Sequence, residues 1–487
     1  MSSPLLIGNS LVALSEPGGR AALAATLGSE QITFGELDLA ANRLARVLAQ
    51  NGVAHGETVM WWTGPALASL SGMLACARLG AVFAPVSVLL AADAVAAIAA
   101  YVKPRLLVCD SERLDAGRGF EGLTVLALEE LEQAASGMAG GPIDSAPVSD
   151  ADAHILYLTS GSTGQPKGVM VSHRASWLRS APDGSAHGVA GVLCTFPLYH
   201  YGGWHYVIEA WLAGTAVHLV SRADGSEVTT AVERQRPEAI YCIPAVWERV
   251  LATEGDLGSL RYADTGTSSF GDGLLDRLAA RLPQARTRVL YGASEAGRMA
   301  VLEHAELADH RGSVGRSVSH GRILLSQEGE VIFSGPTLMN GYLDLPEATA
   351  GALDQQGYRT GDLGWTDEQG FLYITGRKSE AIRTGGEWVS PVEVEAAIRE
   401  LGGIADLAVI GVPDPQWGEI VCVAVVPQAG HAVLTAEQLR TQLIGLARYK
   451  QPRLVVEVAE IPRTTATGQV MRKAIRASVV ETLTVSR

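Results

Sequence analysis

Cysteine, positive charge and unbroken apolar runs are all scarce in this sequence. Five cysteines, Cys76, Cys109, Cys194, Cys242 and Cys422, occur in 487 residues. They are scattered, odd in number and mostly set in apolar runs. That excludes a disulfide framework or a thiolate metal site and points to buried thiols in a reducing cytoplasm. Lysine and arginine number 38 against 52 acidic residues, a net charge of −14. Duplex nucleic acid is bound through basic surface, so no nucleic-acid partner is expected. The apolar stretches between 66 and 100 are broken by Arg78, Gly80, Pro85 and Asp93, which excludes a membrane span there. No basic segment followed by an apolar one opens the chain, so no signal peptide is expected. Charged residues make up 18% and hydrophobic ones 47%, which excludes a disordered chain and suffices for a large core.

What is present is an alternation of strand and helix patterns. Residues 31–36 read as a short strand running into a helix start, and Leu37, Ala40, Ala41, Leu44, Val47 and Leu48 recur at helical spacing. Val59–Trp62, Val82–Pro85 and Leu106–Cys109 read as buried strands, with a small-residue helix over Ala66–Leu79. Further strands are expected at His154–Leu158, Val192–Phe196, Ala216–Val220, Ala239–Ile243, Tyr262–Thr265 and Val289–Tyr291. Such alternation predicts an α/β fold with largely parallel sheets. Glu330–Phe333 and Phe371–Ile374 read as antiparallel segments. Beyond Arg377 the pattern becomes a smaller α+β unit: helix Val392–Leu401, strands Ala405–Gly411 and Ile420–Pro427, helix Ala436–Ala447. Two domains follow, 1–378 and 379–487.

The stretch Tyr157–Gly168, YLTSGSTGQPKG, crowds small and hydroxylated residues before one lysine. Gly161 and Gly164 let a backbone approach a ligand closely, and Thr159, Ser160, Ser162 and Thr163 add hydroxyls. With the mobile charge of Lys167 this is a cradle for a polyanion. A flexible linker accounts for neither the lysine nor the preceding strand, and a Walker loop needs its lysine directly before a helix. Four more segments carry polar side chains in turn-like settings: FPLYHYGGW at Phe196–Trp204, YGASE at Tyr291–Glu295, YRTGDL at Tyr358–Leu363, and GRKSEAIRTGGEWVSPVEVE from Gly376. A lone histidine such as His200 is ordinarily a core residue. YGASE is equally a strand-to-helix turn, and YRTGDL a common turn.

Together, and in this order, these segments resemble the motifs of the acyl-adenylate-forming superfamily: acyl- and aryl-CoA ligases, luciferases and peptide-synthetase adenylation domains. The resemblance implies a large N-terminal domain of two α/β subdomains and a small barrel-like one, closed over by a mobile C-terminal domain. It implies ATP, Mg²⁺ and, as co-substrate, CoA. Thr159, Ser160, Gly161, Ser162, Thr163, Gly164 and Lys167 would hold phosphates. Tyr291 would stack on adenine beside Thr267 and Gly292, and Glu295 with Ser294 would hold magnesium. Asp362 would grip the ribose and Arg377 would add a cationic donor. His200 would gate the acyl pocket, formed with Tyr201, Gly202, Trp204, Trp247, Ser268, Leu290, Gly292 and Gly297. The hinge would fall at Ser379, and Gly385 and Gly386 would line a tunnel for the pantetheine arm. For Arg298, just past Glu295, a surface salt bridge is expected.

The C-terminal segment IPRTTATGQVMRK departs from this pattern. One extra residue separates Pro462 from Gly468, and Gln469 stands where the superfamily carries its catalytic lysine. Losing one preorganised donor to developing charge costs about 10²–10³ in rate. Returning lysine to 469 is therefore expected to rescue acid adenylation in part. Three functions stay open: a CoA ligase for a small, aromatic acid; an adenylating enzyme serving another acceptor, namely an amine, a carrier-protein thiol, or an aryl amine in a nitrite-activating diazotase; and a non-enzymatic nucleotide-binding protein.

Overall fold

The computed structural model describes residues 3–144, 147–160, 166–181, 188–268, 273–464 and 468–485. The first helix, Phe34–Gln50, begins where Thr33 and Glu36 form a capping box: Glu36 N–H donates to Thr33 Oγ1 at 3.2 Å and Thr33 N–H donates to Glu36 at 2.9 Å. Its apolar face packs on helix Leu67–Leu79, which is buried nearly all round and stops at Gly80, φ 71°. That left-handed end is one glycine adopts without a Cβ clash.

Two large sheets carry the N-terminal part. The first has nine strands in the order Arg316–Ser317, Gly297–Leu302, Val289–Ala293, Tyr262–Gly266, Ala239–Tyr241, Val192–Cys194, Val217–Leu219, Leu23–Leu27 and Glu30–Thr33. Its interior is parallel and its edges antiparallel. The second has seven, from Gly341–Tyr342 through Pro166–Ser172, Ala153–Ser160, Val82–Pro85, Thr58–Trp62 and Leu106–Cys109 to Val125–Ala127. One continuous core joins them, and Phe83 of the second sheet meets Trp204 edge-on at 5.2 Å. A smaller antiparallel sheet pairs Gly357–Thr366 with Glu330–Ser334, Leu353–Asp354 and Leu372–Arg377.

The fourth sheet holds Glu387–Val389, Ile382–Thr384, Gly418–Pro427, Ile404–Asp414 and Leu454–Glu457, with a separate apolar cluster on each face. Helix Pro391–Arg399 starts with a proline, which suits the first turn, and Ser390 caps it. The helix expected to reach Ala447 is Ala436–Gln442 and ends earlier. Gln451 Nε2 donates to the carbonyls of Leu443 and Leu446, both at 3.1 Å, and so satisfies groups a longer helix would have paired. All five cysteines are buried and free, and burial pushes the Cys194 and Cys422 thiols up to about 12. No helix among the described residues is long and apolar enough to cross a membrane.

Candidate functional site

Three strands deliver Tyr291, Asp362 and Arg377 to one point. Antiparallel register sets Asp362 opposite Arg377. Arg377 Nε donates to Asp362 Oδ1 at 2.9 Å, and the Tyr291 hydroxyl donates to Oδ2 at 2.6 Å. Asp362 is 7% exposed. Its N–H donates to Thr360 Oγ1 at 3.0 Å, and that hydroxyl donates to the Val331 carbonyl at 2.8 Å. Burial pushes the Asp362 carboxyl up, while Arg377 and the Tyr291 hydroxyl pull it back. The Asp362 charge in turn raises Arg377. Burial, then Asp362, holds Tyr291 well above the usual phenol range, so it remains a donor. A carboxylate offers about four lone-pair sites, and two partners leave room for a pair of hydroxyls.

The second cluster forms around Glu295. YGASE is not a strand-to-helix turn: Val289–Ala293 and Gly297–Leu302 are an antiparallel hairpin, and Ser294, Glu295 and Ala296 turn it. Arg179, 4% exposed, shapes that turn from beneath. Its guanidinium donates to the carbonyls of Ser294, Glu295 and Thr337 at 2.9, 2.9 and 2.7 Å. A Cβ on Gly297, φ 79°, would lie 2.7 Å from Arg179 Cγ. A Cβ on Gly292 would lie 2.4 Å from the Gly297 carbonyl oxygen, so both positions require glycine. The Tyr342 hydroxyl donates to Glu295 Oε1 at 2.9 Å, and Lys167 Nζ sits 4.8 Å from the centre of the Tyr342 ring. Lys167 pairs across the hairpin with Thr159. Gly161, Ser162, Thr163 and Gly164 lie outside the described residues, as does the Ser160 side chain. No cluster of three ligating side chains occurs among the described residues. One fixed carboxylate fits magnesium, which commonly takes one or two carboxylates plus substrate phosphates.

The acyl end differs from expectation. Trp204 and Trp247 are fully buried. Trp204 packs on Phe83, and Trp247 Nε1 donates to the Asp264 carbonyl at 2.9 Å, and both belong to the main core cluster. Leu290 is also part of the core. The rings in contact beside His200 are those of Phe196, Tyr206 and Tyr241, which are buried in the same cluster. Phe196 stacks on His200 at 5.3 Å and 10°, on Tyr241 at 5.2 Å, and lies parallel to Tyr206 at 6.3 Å. His200 caps helix Tyr201–Leu212, its Nδ1 accepting from Gly202 N–H at 3.1 Å. Burial pushes its imidazole down to about 4. The ring is therefore neutral at pH 7 with its proton on Nε2. The Tyr201 ring lies 5.4 Å from the Arg179 guanidinium carbon, and Gly202 packs against Phe196. Arg298 makes no surface bridge. Its side chain is 10% exposed, Nη2 is 3.0 Å from His205 Nε2, and Glu209 lies 3.9 Å away, itself 4% exposed.

Gln469 reaches this end from the loop between strand Leu454–Glu457 and the final helix, Arg472–Val485. Its Nε2 donates to the Thr267 carbonyl at 3.3 Å. Thr267 has φ 73°, unusual for a β-branched residue, and its hydroxyl is 2.5 Å from the Tyr241 hydroxyl. Ser268 follows it, half-buried. Ser379 is exposed between two anchored neighbours: Lys378 N–H donates to the Gly361 carbonyl at 2.8 Å, and Glu380 accepts from Arg472 at 2.8 Å. Gly385 and Gly386 turn the hairpin Ile382–Thr384/Glu387–Val389, with φ 61° and 89°. The sequence reading passed over Arg179, Phe196, Tyr206, Tyr241 and Tyr342. Phe196 lay inside a motif with His200, but its partners Tyr206 and Tyr241 lie outside that motif, and a buried arginine carries no local signal.

Known proteins match along the chain. The family described as AMP-binding enzyme matches residues 12–343, and AMP-binding enzyme C-terminal domain matches 393–468. Indoleacetate–CoA ligase of Aromatoleum aromaticum is 31% identical, over 92% of this chain and 95% of that one. Feruloyl-CoA synthase of an Amycolatopsis species is 30% identical, over 92% and 94%. Among solved structures, ATP-bound MatB from Rhodopseudomonas palustris superposes with a TM-score of 0.87 at 24% identity, covering 98% of this chain and 99% of that one. At that identity the superposition establishes the fold: a large N-terminal and a small C-terminal α/β part. The family match over most of the chain and the identity to acid–CoA ligases over nearly all of it lead to one conclusion: this chain belongs to the AMP-binding enzyme family, among its AMP-forming acid–CoA ligases.

Proposed function

We propose that the protein activates a small, aromatic carboxylic acid as its acyl-AMP and passes the acyl group to CoA, with the two domains dividing at 378/379. The observation that carries this reading is the convergence of Tyr291 and Arg377 on Asp362. Asp362 would accept from the ribose hydroxyls, and Arg377 would set a positive charge beside the α-phosphate. Lys167, resting on Tyr342, would face the departing phosphates, with Thr163 and the Gly-rich loop around it. Glu295, held by Tyr342, with Ser294 would hold magnesium, which when bound neutralises phosphate charge. A carboxylate oxygen of the acid attacks the α-phosphorus, the bond to the β-phosphate oxygen breaks, and pyrophosphate leaves. In the second step the CoA thiolate attacks the acyl carbon, the bond to AMP oxygen breaks, and the thioester forms. Neutral His200 keeps its proton on Nε2 and screens the acyl side from water.

An aromatic acid is favoured by the rings of Phe196, Tyr206 and Tyr241 beside His200, and by relatives named for indoleacetate and ferulate. Pyrophosphate release across benzoate-like, cinnamate-like and indoleacetate-like acids and long-chain fatty acids, with and without CoA, tests it. The expected outcome is CoA-dependent turnover with at least tenfold higher kcat/KM for the ring acids. A higher value for a long-chain acid sinks the aromatic assignment. Gln469 favours one second reading, an acceptor other than CoA. Turnover with an amine, a carrier protein, or nitrite plus an aryl amine, but not with CoA, would establish it.

A further inference from the structure

An unbroken line of contacts runs from the C-terminal part to the histidine at the acyl end. Gln469 Nε2 meets the Thr267 carbonyl, the Thr267 hydroxyl meets the Tyr241 hydroxyl, Tyr241 stacks on Phe196, and Phe196 stacks on His200. Each link is directional. Thr267 is held in a left-handed conformation that costs a β-branched residue free energy and persists only where neighbours hold it. Tyr241 is 4% exposed and its ring also stacks on Tyr206 at 5.5 Å, so it cannot swing away without disturbing the stack. On the other side Gln469 is clamped. Its N–H donates to Thr464 Oγ1 at 3.0 Å, and the Thr464 N–H donates to its carbonyl at 2.8 Å. Arg463 Nη1 donates to the Gly468 carbonyl at 3.2 Å, and its Nη2 is shared between the two Asp406 carboxylate oxygens at 2.8 and 3.0 Å. Gly468 lies against the N-terminal part, where an added Cβ would be 3.7 Å from Ala245 and 3.8 Å from Ile243.

We propose that Gln469 is a positioning residue: its amide latches the C-terminal part onto Thr267 and, through Tyr241 and Phe196, couples closure to the placement of His200 beside the acid. This rests on the reading of the protein as an adenylate-forming ligase. It reassigns position 469 from phosphate electrostatics to docking, because the donor is engaged by a protein carbonyl. One net hydrogen bond shifts an equilibrium about threefold to tenfold, a scale suited to a latch that must also release for the second half-reaction.

The test joins a conformational readout to kinetics. All five native cysteines are buried, so Glu112→Cys and Glu437→Cys, both at exposed positions, accept a dye pair that reports closure by energy transfer. With ATP present, Gln469→Glu, isosteric but unable to donate when ionised, is expected to lower the closed-to-open ratio about threefold to tenfold and to raise the KM for acid by a similar factor. Tyr241→Phe breaks the line on the other side. It should raise the acid KM, and in the double variant the two KM effects should not multiply. Gln469→Lys retains a donor. It should keep the closed fraction and change pyrophosphate release less than tenfold. A 10²–10³ rise in that variant would overturn the latch. So would a Gln469→Glu protein with unaltered closure and acid KM, or effects that multiply. If closure responds as expected while no acid releases pyrophosphate, the latch stands and the ligase reading fails.

Discussion

The proposed nucleotide end, around Asp362, and the proposed acyl end, around His200, are built by opposite means. At the nucleotide end, a tyrosine, a carboxylate and a guanidinium from strands with fixed register meet over hydrogen bonds of 2.6 and 2.9 Å. At the acyl end, rings and buried charges pack around helix Tyr201–Leu212, whose residues from Gly202 to Leu212 are all buried. Register determines what faces what in a strand pair, because side chains alternate with period two. A helix buried on every side carries no such mark, since lining and core residues look alike in its sequence. Motif residues therefore converge where strands carry them and scatter where the helix does.

The sharpest test of that contrast removes an aromatic residue predicted for the pocket but found in the core. Trp204→Ala should cost about 3–5 kcal/mol of stability by opening a cavity, read as a fall in the midpoint of urea unfolding. Acid preference among the molecules that remain folded should not change. Unchanged stability with altered acid preference would return Trp204 to the pocket wall. Next in size is Asp362→Ala. Loss of the carboxylate should weaken ATP binding about 10²-fold, since hydrogen bonds to a charged group contribute about 1.5–3 kcal/mol each. Calorimetric titration of a variant with unchanged circular dichroism checks this, and wild-type affinity would remove Asp362 from the nucleotide site.

The smallest effect concerns pH. Burial pushes His173 down to about 4, and its Nδ1 accepts from Ile7 N–H at 3.1 Å, which requires a neutral ring. Above about pH 6.5 the ring is neutral folded and unfolded, and the full stability is present. Between about 6.5 and 4 the unfolded chain binds a proton that the folded one refuses, so stability falls as pH falls. One such histidine is expected to cost about 2 kcal/mol by pH 5. His218 and His200, also pushed to about 4 by burial, and His154, pushed well below its ordinary value by burial, add losses of the same sign. Urea unfolding at pH 7 and pH 5 measures the sum, and His173→Asn should flatten the dependence. Because His200 is neutral over the same window, adenylation per folded molecule should not lose activity through that ring between pH 7 and 5.

Much of the architecture was legible because local rules agreed with one another. Val82–Pro85 and Leu106–Cys109 are short apolar runs between turn signals and form strands with those bounds. The helix from Phe34 announces itself through Thr33, Glu36 and a regular apolar face. Helix Ala436–Gln442 shows the limit. Its apolar spacing continued past the true end, and the stop depends on Gln451, a side chain nine residues further on. YGASE shows another, since nothing local separates a turn into a helix from a turn into a second strand. The deciding contacts there come from Arg179.

The sequence by itself determined the class of chemistry. Small residues around Lys167, a carboxylate at Glu295, another at Asp362 and a cation at Arg377, spaced along the chain in one order, carry the resemblance to the family and are the groups it would assign to phosphate, metal and ribose. Chemical type and order survive any fold that brings them together. Only the tertiary structure decided which neighbours hold those groups. Tyr342 on Glu295, Arg179 beneath the turn and Gln469 on Thr267 are partnerships 47, 116 and 202 residues apart. So was the division between pocket and core in helix Tyr201–Leu212. Burial is a property of what packs against a residue, and two tryptophans of identical chemistry can line a cavity or fill one.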